Sequence, residues 1–330
     1  MITPAFGLTA TERVLPRLAL DFTTATLDSR ITFTRTTDAT HPATYINSSG
    51  VLTVATNNQP RFDYDPVTLV CKGLLIEESR ANSLLNTDLL STQIVTVTAA
   101  VRTLSFYGTG SVTLSGAHTA VVSGTGAYPT RTTYSFTPTA GALTLTVAGT
   151  VQFAQLEAGA FATSYIPTTT TALTRNADVA TMTGTNFSDW FNASEGTFQA
   201  QVVPSESSTT GRRFLQASDG TSANTIMLLK YASFIFECDA SSATQCVISK
   251  QTITANTQYK IAGSYKANNF QFAVAGSLGT ADTSGSVPTG VNQMGIGCTP
   301  AGTGLMNGWM QKITYYPQAL LPAETQAISK

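Results

Sequence analysis

The stretch "RTLSFYGTGSVTLSG", residues 102–116, sets the reading of this chain. Leu104 and Phe106 alternate with Thr103 and Ser105, and beyond a glycine-bounded break Val112 and Leu114 alternate with Ser111, Thr113 and Ser115. Side chains on a strand point to opposite faces in turn, so this beat predicts two half-buried strands joined by a turn. "TTYSFTP" (132–138) repeats it with Tyr134 and Phe136, and "ALTLTVAG" (142–149) with Leu143, Leu145 and Val147. Each run stops at Gly or Pro. Short strands punctuated at roughly ten-residue intervals are the pattern of a sandwich or jelly roll.

The same style extends both ways. On the carboxyl side "GTFQAQVVP" (196–204), "SFIFECD" (233–239), "QYKIAGSYK" (258–266), "NFQFAVAG" (269–276) and "GWMQKITYYP" (308–317) belong to a set of about eight candidate strands, enough for a larger two-sheet sandwich. "LPAETQAI" (321–328) reads as a short helix with Pro322 in its first turn. On the amino side, residues 1–80 give shorter strands with apolar beats at Ile31, Phe33, Val51 and Val54 and a turn at "NSSG" (47–50). The apolar run of "VTLVCKGLLIEESRANSLL" (67–85) is too short to choose between buried strand and helix. Between the middle and last blocks lies "QLEAGAFATSYIPTTTTALTRNADV" (155–179), where Pro167 forbids a central strand position and four threonines carry no alternation. It marks the exit from one sandwich, with Phe161 and Tyr165 packed beneath its edge and Glu157 in a structural pairing role, and the entry to the next. The expected organisation is therefore all-β, in tandem modules: residues 1–85, 86–167 and 168–330.

Charged residues make up 11% of the chain, and 18 Lys and Arg nearly balance 19 Asp and Glu. That argues against capture of nucleic acid or of an anionic membrane by charge. No apolar run is long enough to insert into a bilayer. The first 22 residues, interrupted by Glu12, Arg13 and Arg17, do not read as a signal peptide, which predicts a soluble protein that stays in the cytoplasm or leaves it by another route.

The search for chemistry yields little. Cys71, Cys238, Cys246 and Cys298 lack the tight pairs of a zinc site, although Cys238 and Cys246 could face each other across a hairpin as free thiols or as a disulfide. Asp63 and Asp65 would share a strand face, but more simply bond turn amides or pair with Arg61, and the adjacent Glu77 and Glu78 would point to opposite faces. His41 and His118 sit in turn-rich contexts without a nucleophile motif. Asp219 and Asp239 are single loop acids, thin for Ca²⁺. The glycine-rich pieces near 108–126 open no helix and so cradle no phosphate. The expectation is no catalytic residue, no metal and no cofactor. Binding through aromatic faces remains, with Trp190 and Tyr231 as candidate sugar platforms. Against this, Trp190 also suits a buried seam, and Trp309 and Tyr315 suit core or sheet faces.

Longer strings carry a resemblance. "LDFTTATLDSRITFTRTT" (20–37), "RFDYDPVT" (61–68) and "GLLIEESR" (73–80) resemble the amino-terminal module of tailed-bacteriophage virion proteins, the head fibres, spikes and tail-fibre components. "LSFYGTGSVTLSG" (104–116) and "QLEAGAFATSYIPT" (155–168) resemble the carbohydrate-binding-like module that follows it in that group. "RNADVATMTGTNFSDWFNASEGTF" (175–198) with "NGWMQKITYYPQALLPAETQAI" (307–328) is similar to a concanavalin A-like, laminin-G-like module. Gln318 and Leu321 depart from the usual pattern there, where a basic residue and a Ser or Thr cap are common. The resemblance implies a structural, non-enzymatic protein of the virion, a homotrimer attached to other capsid or tail proteins and adhering to host surface glycans. The alternative from a different class is a polysaccharide depolymerase, which would need a paired-acid cleft.

Overall fold

The computed structural model describes residues 14–330, and the expectation for the first thirteen residues lies outside them. The predicted β-class holds. The described helices are short, at Thr185–Ser188 and Pro322–Ile328, with a 3-10 turn at Phe22–Thr24.

Two large sheets build the main sandwich. One has eight strands and centres on Gly308–Tyr316, which pairs with Glu195–Pro204 on one side and, along its other side, with Leu18–Asp21 and then Cys71–Ile76. The other has seven strands and runs from Thr32–Thr34 through Val179–Thr183, Gln293–Ile296 and Arg212–Ser218 to the hairpins ending at Ala243–Thr252. One continuous core lies between them, containing Phe198, Phe214, Phe234, Phe236, Tyr265 and Tyr315.

The amino-terminal block does not form a module of its own. Leu18, Leu20, Phe22, Phe33, Leu74 and Ile76 all belong to that same core, and their strands pair into the two large sheets. The physical reason is length. Strands of three to six residues cannot bury a sheet face by themselves, and the open edges of the larger sandwich supply both partners and core. The ambiguous run at 67–85 resolves accordingly as the strand Cys71–Ile76, held between Phe62–Tyr64 and Gly308–Tyr316.

The middle block is a second, smaller sandwich with a separate core. Gln93–Val97, Gly141–Ala148, Ser111–Gly116 and Ala120–Ser123 form one sheet, and Gln152–Ala158, Arg102–Tyr107 and Thr132–Phe136 the other. Leu104, Phe106, Val112, Leu114, Leu143 and Leu145 are all fully buried, on the faces their alternation predicts. Gln152–Ala158 is an edge strand, and the chain leaves it through the segment 159–167 without regular structure. Tyr165 packs beneath this edge, its hydroxyl donating to Asp88 at 2.8 Å and its ring against Phe153, while the guanidinium of Arg80 lies 4.7 Å over Phe161.

Candidate functional site

The segment 157–178 meets both sandwiches, and what it carries there is charge. Glu157 is fully buried and accepts from Thr163 N and Oγ1, both at 2.7 Å, which pins the turn after the edge strand. Ser164 donates from N and Oγ to the two oxygens of Glu77, at 2.7 and 2.6 Å. Glu77 also meets Arg61 at 2.8 Å and Arg175 at 3.2 Å, and Asp178 joins Arg35 at 2.6 Å to Arg61. Burial alone would raise the Glu77 carboxyl, but Arg175, Arg61 and the Ser164 donors hold it down at about 2. Five charged side chains, from strands or loops far apart in sequence, thus form one buried lattice under the junction. Glu78 turns away from it, to Arg80 at 2.6 Å and to Arg212 at 2.5 Å.

Above this lattice opens a cavity of about 250 Å³. Its walls come from every part of the junction: Tyr45 and Ile46 of a small hairpin, Asp63 and Lys72 of the eight-stranded sheet, Tyr107 and Arg131 of the middle sandwich, Thr163 and Ser164 of the connecting segment, and Trp309. A second cavity of about 300 Å³ shares Arg131, Ala162, Ser205 and Trp309 with it, so the two form one cleft.

Trp309 is placed by register. Met310, Ile313 and Tyr315 of its strand point into the core, and Trp309 and Gln311 lie on the opposite face, half-buried. Its Nε1 donates to Asp63 Oδ2 at 3.0 Å, and Lys72 Nζ stands 3.4 Å from its ring centroid. Asp63 also accepts from Ile46 N at 2.7 Å and lies 3.4 Å from Lys72 Nζ. Burial pushes its carboxyl up, with Lys72 opposing. Across the cleft Arg131 donates from Nη1 to Thr163 O at 2.6 Å and from Nη2 to Ser105 Oγ at 2.8 Å.

Of the two aromatic platforms expected from sequence, Trp190 is corrected. It is 2% exposed, edge-on to Phe187 and Tyr315 with centroids 4.8 and 4.9 Å away, and its Nε1 donates to Asn186 O at 2.8 Å. The short helix Thr185–Ser188 folds the chain so that the indole enters the core, and no sugar can stack on it. Tyr231 is 45% exposed in the turn between Thr225–Lys230 and Ser233–Ala240, and does not line the cleft.

The acids of the sequence reading have structural partners. Asp65 accepts from Val67 N and Thr68 N in a turn, Asp63 is held by Lys72 rather than Arg61, and Asp219 by Thr221 and Asn224. Among the described residues no group of three or more His, Cys, Asp or Glu side chains could hold a metal ion. His118 stacks on Phe136 at 4.5 Å, and His41 bonds Asp38 at the surface. What sequence reasoning missed is Trp309, Lys72 and Arg131 as a set. Alternation alone places Trp309 on the beat of Ile313 and Tyr315, the core face; the irregular pairing opposite Gln201 and Val202, which face Lys312 and Met310, turns it outward, and Lys72 and Arg131 come together with it only through the fold.

The family model described as "Concanavalin A-like lectin/glucanases superfamily" matches residues 174–326. No curated protein sequence matches the chain. Among solved structures the chain is similar to the NanB sialidase of Streptococcus pneumoniae, at 11% identity and a TM-score of 0.39, covering 46% of this chain and 26% of that one. It is also similar to the CBM40 of Ruminococcus gnavus IT-sialidase bound to α2,3 sialyllactose, at 15% identity and a TM-score of 0.37, covering 42% and 83%. Domain 4 of AbnA, a GH43 extracellular arabinanase of Geobacillus stearothermophilus in complex with arabinotriose, aligns at 13% identity and a TM-score of 0.38, covering 47% and 73%. The chain thus spans about a quarter of the first of these proteins.

Proposed function

We propose that this chain, whose carboxy-terminal part is a concanavalin A-like sandwich, is a glycan-binding structural protein of a tailed-phage particle, a fibre or spike that engages host surface sugars. The observation that carries the binding part is the cleft at the module junction, where Trp309 offers an aromatic face among hydroxyls and fixed charges. Sugar recognition needs such a mixture, an apolar face for the ring and a few convergent polar groups for its hydroxyls. The match of residues 174–326 to a lectin and glucanase family model supports the same reading. The placement on a virion, the partnership with capsid or tail proteins and a homotrimeric state rest on the resemblance of residues 20–80 and 104–168 to phage virion proteins.

Binding is favoured over hydrolysis by the state of the two acids in the cleft. A glycosidase needs one carboxyl free to protonate the leaving oxygen and one free to attack or to activate water. Asp63 and Glu77 are instead held by Lys72 and Trp309, and by two arginines and Ser164.

The test is a glycan array probed with the full chain, alongside a reducing-end assay on the glycans that bind. Retention of host-surface oligosaccharides without release of reducing ends is the expected result. Absence of any glycan binding overturns the binding part, glycan cleavage overturns the non-catalytic part, and absence of the protein from purified particles overturns the virion part.

A further inference from the structure

The charges around the cleft do not cancel, and the surplus says what kind of sugar it takes. Asp63 is offset by Lys72, 3.4 Å away. Glu77 faces Arg61 and Arg175, Asp178 faces Arg35 and Arg61, and Glu157 is within electrostatic reach of Arg175, so three acids and three arginines balance in the lattice below. Arg131 is left over. No carboxylate pairs with it among the described residues, and its contacts are neutral: Thr163 O, Ser105 Oγ and the ring of Tyr107, 5.9 Å from the guanidinium.

An arginine side chain carries five N–H donors, two on each terminal nitrogen and one on Nε. Thr163 and Ser105 take one from each terminal nitrogen, and Nε is buried with no partner. One N–H therefore remains on each terminal nitrogen, on a guanidinium whose orientation two hydrogen bonds already fix. It lines both cavities of a concave, partly dehydrated site, where an uncompensated cation attracts an anion more strongly than it would in open water. A planar guanidinium with donors to spare matches a carboxylate, through charge-assisted hydrogen bonds.

We propose that the cleft selects a carboxylated sugar, a uronic or nonulosonic acid residue of a surface polysaccharide, with Arg131 receiving the carboxylate and Trp309 carrying the ring. This deepens the glycan-binding reading and rests on it. A first cavity of about 250 Å³ falls just under the roughly 300–1,000 Å³ of ordinary small-molecule pockets, which suits a single sugar ring with its neighbour entering the adjoining cavity. Selection is by charge as well as shape, so binding of the acidic sugar weakens with added salt while any neutral analogue is insensitive to it.

The experiment is calorimetric titration of the full chain with matched pairs that differ at the carboxyl group alone: oligogalacturonate against its methyl ester, and sialyllactose against its methyl ester. At least one acid is expected to bind about tenfold or more tightly than its ester, with the preference shrinking as salt is raised. Which acid binds distinguishes the two sources. Arg131→Gln should abolish the preference, and Arg131→Lys, which keeps the charge without the fork, should retain part of it, each variant being matched to wild type by thermal melt. Equal binding of acid and ester overturns the inference while leaving glycan binding intact, as does a sulfated analogue binding more tightly than the carboxylate. Failure of every sugar on the array overturns the underlying reading.

Discussion

The ammonium of Lys72 lies 3.4 Å from the centre of the Trp309 ring, whose Nε1 donates to the same Asp63 carboxylate that Lys72 approaches. Cation, indole and acid form a closed triangle in the wall of the cleft, so the ring is positioned from its edge and covered on one face. A cation over a tryptophan face contributes about 0.5–2 kcal/mol depending on desolvation.

The chain has two tryptophans, and they sit in opposite environments, Trp190 in the core and Trp309 in the cleft wall. Binding of a sugar should therefore change the emission of Trp309 alone. Fluorescence titration of Trp190→Phe is expected to keep the ligand-dependent signal and that of Trp309→Phe to lose it. A signal surviving in Trp309→Phe would move the site away from the junction.

Truncating the platform should weaken binding without unfolding the chain, because Trp309 lies outside the continuous core. Trp309→Ala is expected to lower glycan affinity by roughly tenfold, the loss of about 1.4 kcal/mol of ring contact. Lys72→Met uncovers the ring but leaves the buried Asp63 carboxylate without its cation, so it is expected to lower stability as well as to report whether the ammonium must move aside for the sugar. Differential scanning fluorimetry beside titration separates the two effects.

The lattice under the cleft makes the junction sensitive to acid. Glu77 has a folded pKa of about 2, below its ordinary value of 4.5. A group whose pKa is depressed by folding adds stability above the unfolded value, and loses it as pH falls through the folded one. Thermal melts should therefore show stability dropping between about pH 4.5 and 2, with a shallower slope in Glu77→Gln. Asp178→Asn leaves Arg35 and Arg61 without their shared acid, and should cost about 3–5 kcal/mol by urea denaturation at neutral pH.

The cysteines can be ranked by reactivity. Cys238 and Cys246 are direct cross-strand partners, both free and both in the core. Burial pushes the Cys246 thiol up to about 12, Cys298 to about 11 and Cys238 well above its ordinary value. Alkylation of the folded protein near pH 8 should label half-buried Cys71 first and the other three only on unfolding. Mass spectrometry checks the order, and a mass 2 Da lower, returning on reduction, would show Cys238 and Cys246 joined.

Much of the fold could be read from side-chain alternation. The faces of residues 111–116 and 142–147 follow it directly, because their sheet has one buried face, whereas in Arg102–Tyr107 the polar Thr103 and Ser105 are buried too, bonded to Gly159 O and Arg131 on the side facing the connecting segment. The amino-terminal strands could not be placed that way. Thr32–Thr34 or Phe62–Tyr64 shows too few beats to choose a partner, and their partners lie 145 or more residues away or across a bulge. The helix at Pro322–Ile328 was legible despite its unusual Leu321 cap: a leucine side chain accepts nothing from the first turn, and Glu324 supplies only the reciprocal bond, accepting from Leu321 N at 2.9 Å. The cleft was the least legible part. Trp190 lies between Asp189 and Phe191 in a stretch bounded by Asn186 and Asn192, a context open to a surface loop, yet turns inward, while Trp309 gains its role from Arg131 and Lys72, which local sequence cannot bring to it.

The pairing of Leu18–Asp21 with residues 312–315 has a consequence for how the molecule is made. Leu18–Asp21 must wait for a strand synthesised nearly three hundred residues later, at ribosomal speeds of about 5–20 residues per second. The middle sandwich, whose contacts are local, can fold while the rest is still emerging, whereas the early apolar strands stay without their sheet until residues 308–316 have been made. Their exposure during that interval is where the nascent chain most needs a chaperone, and where a truncated product would fail first.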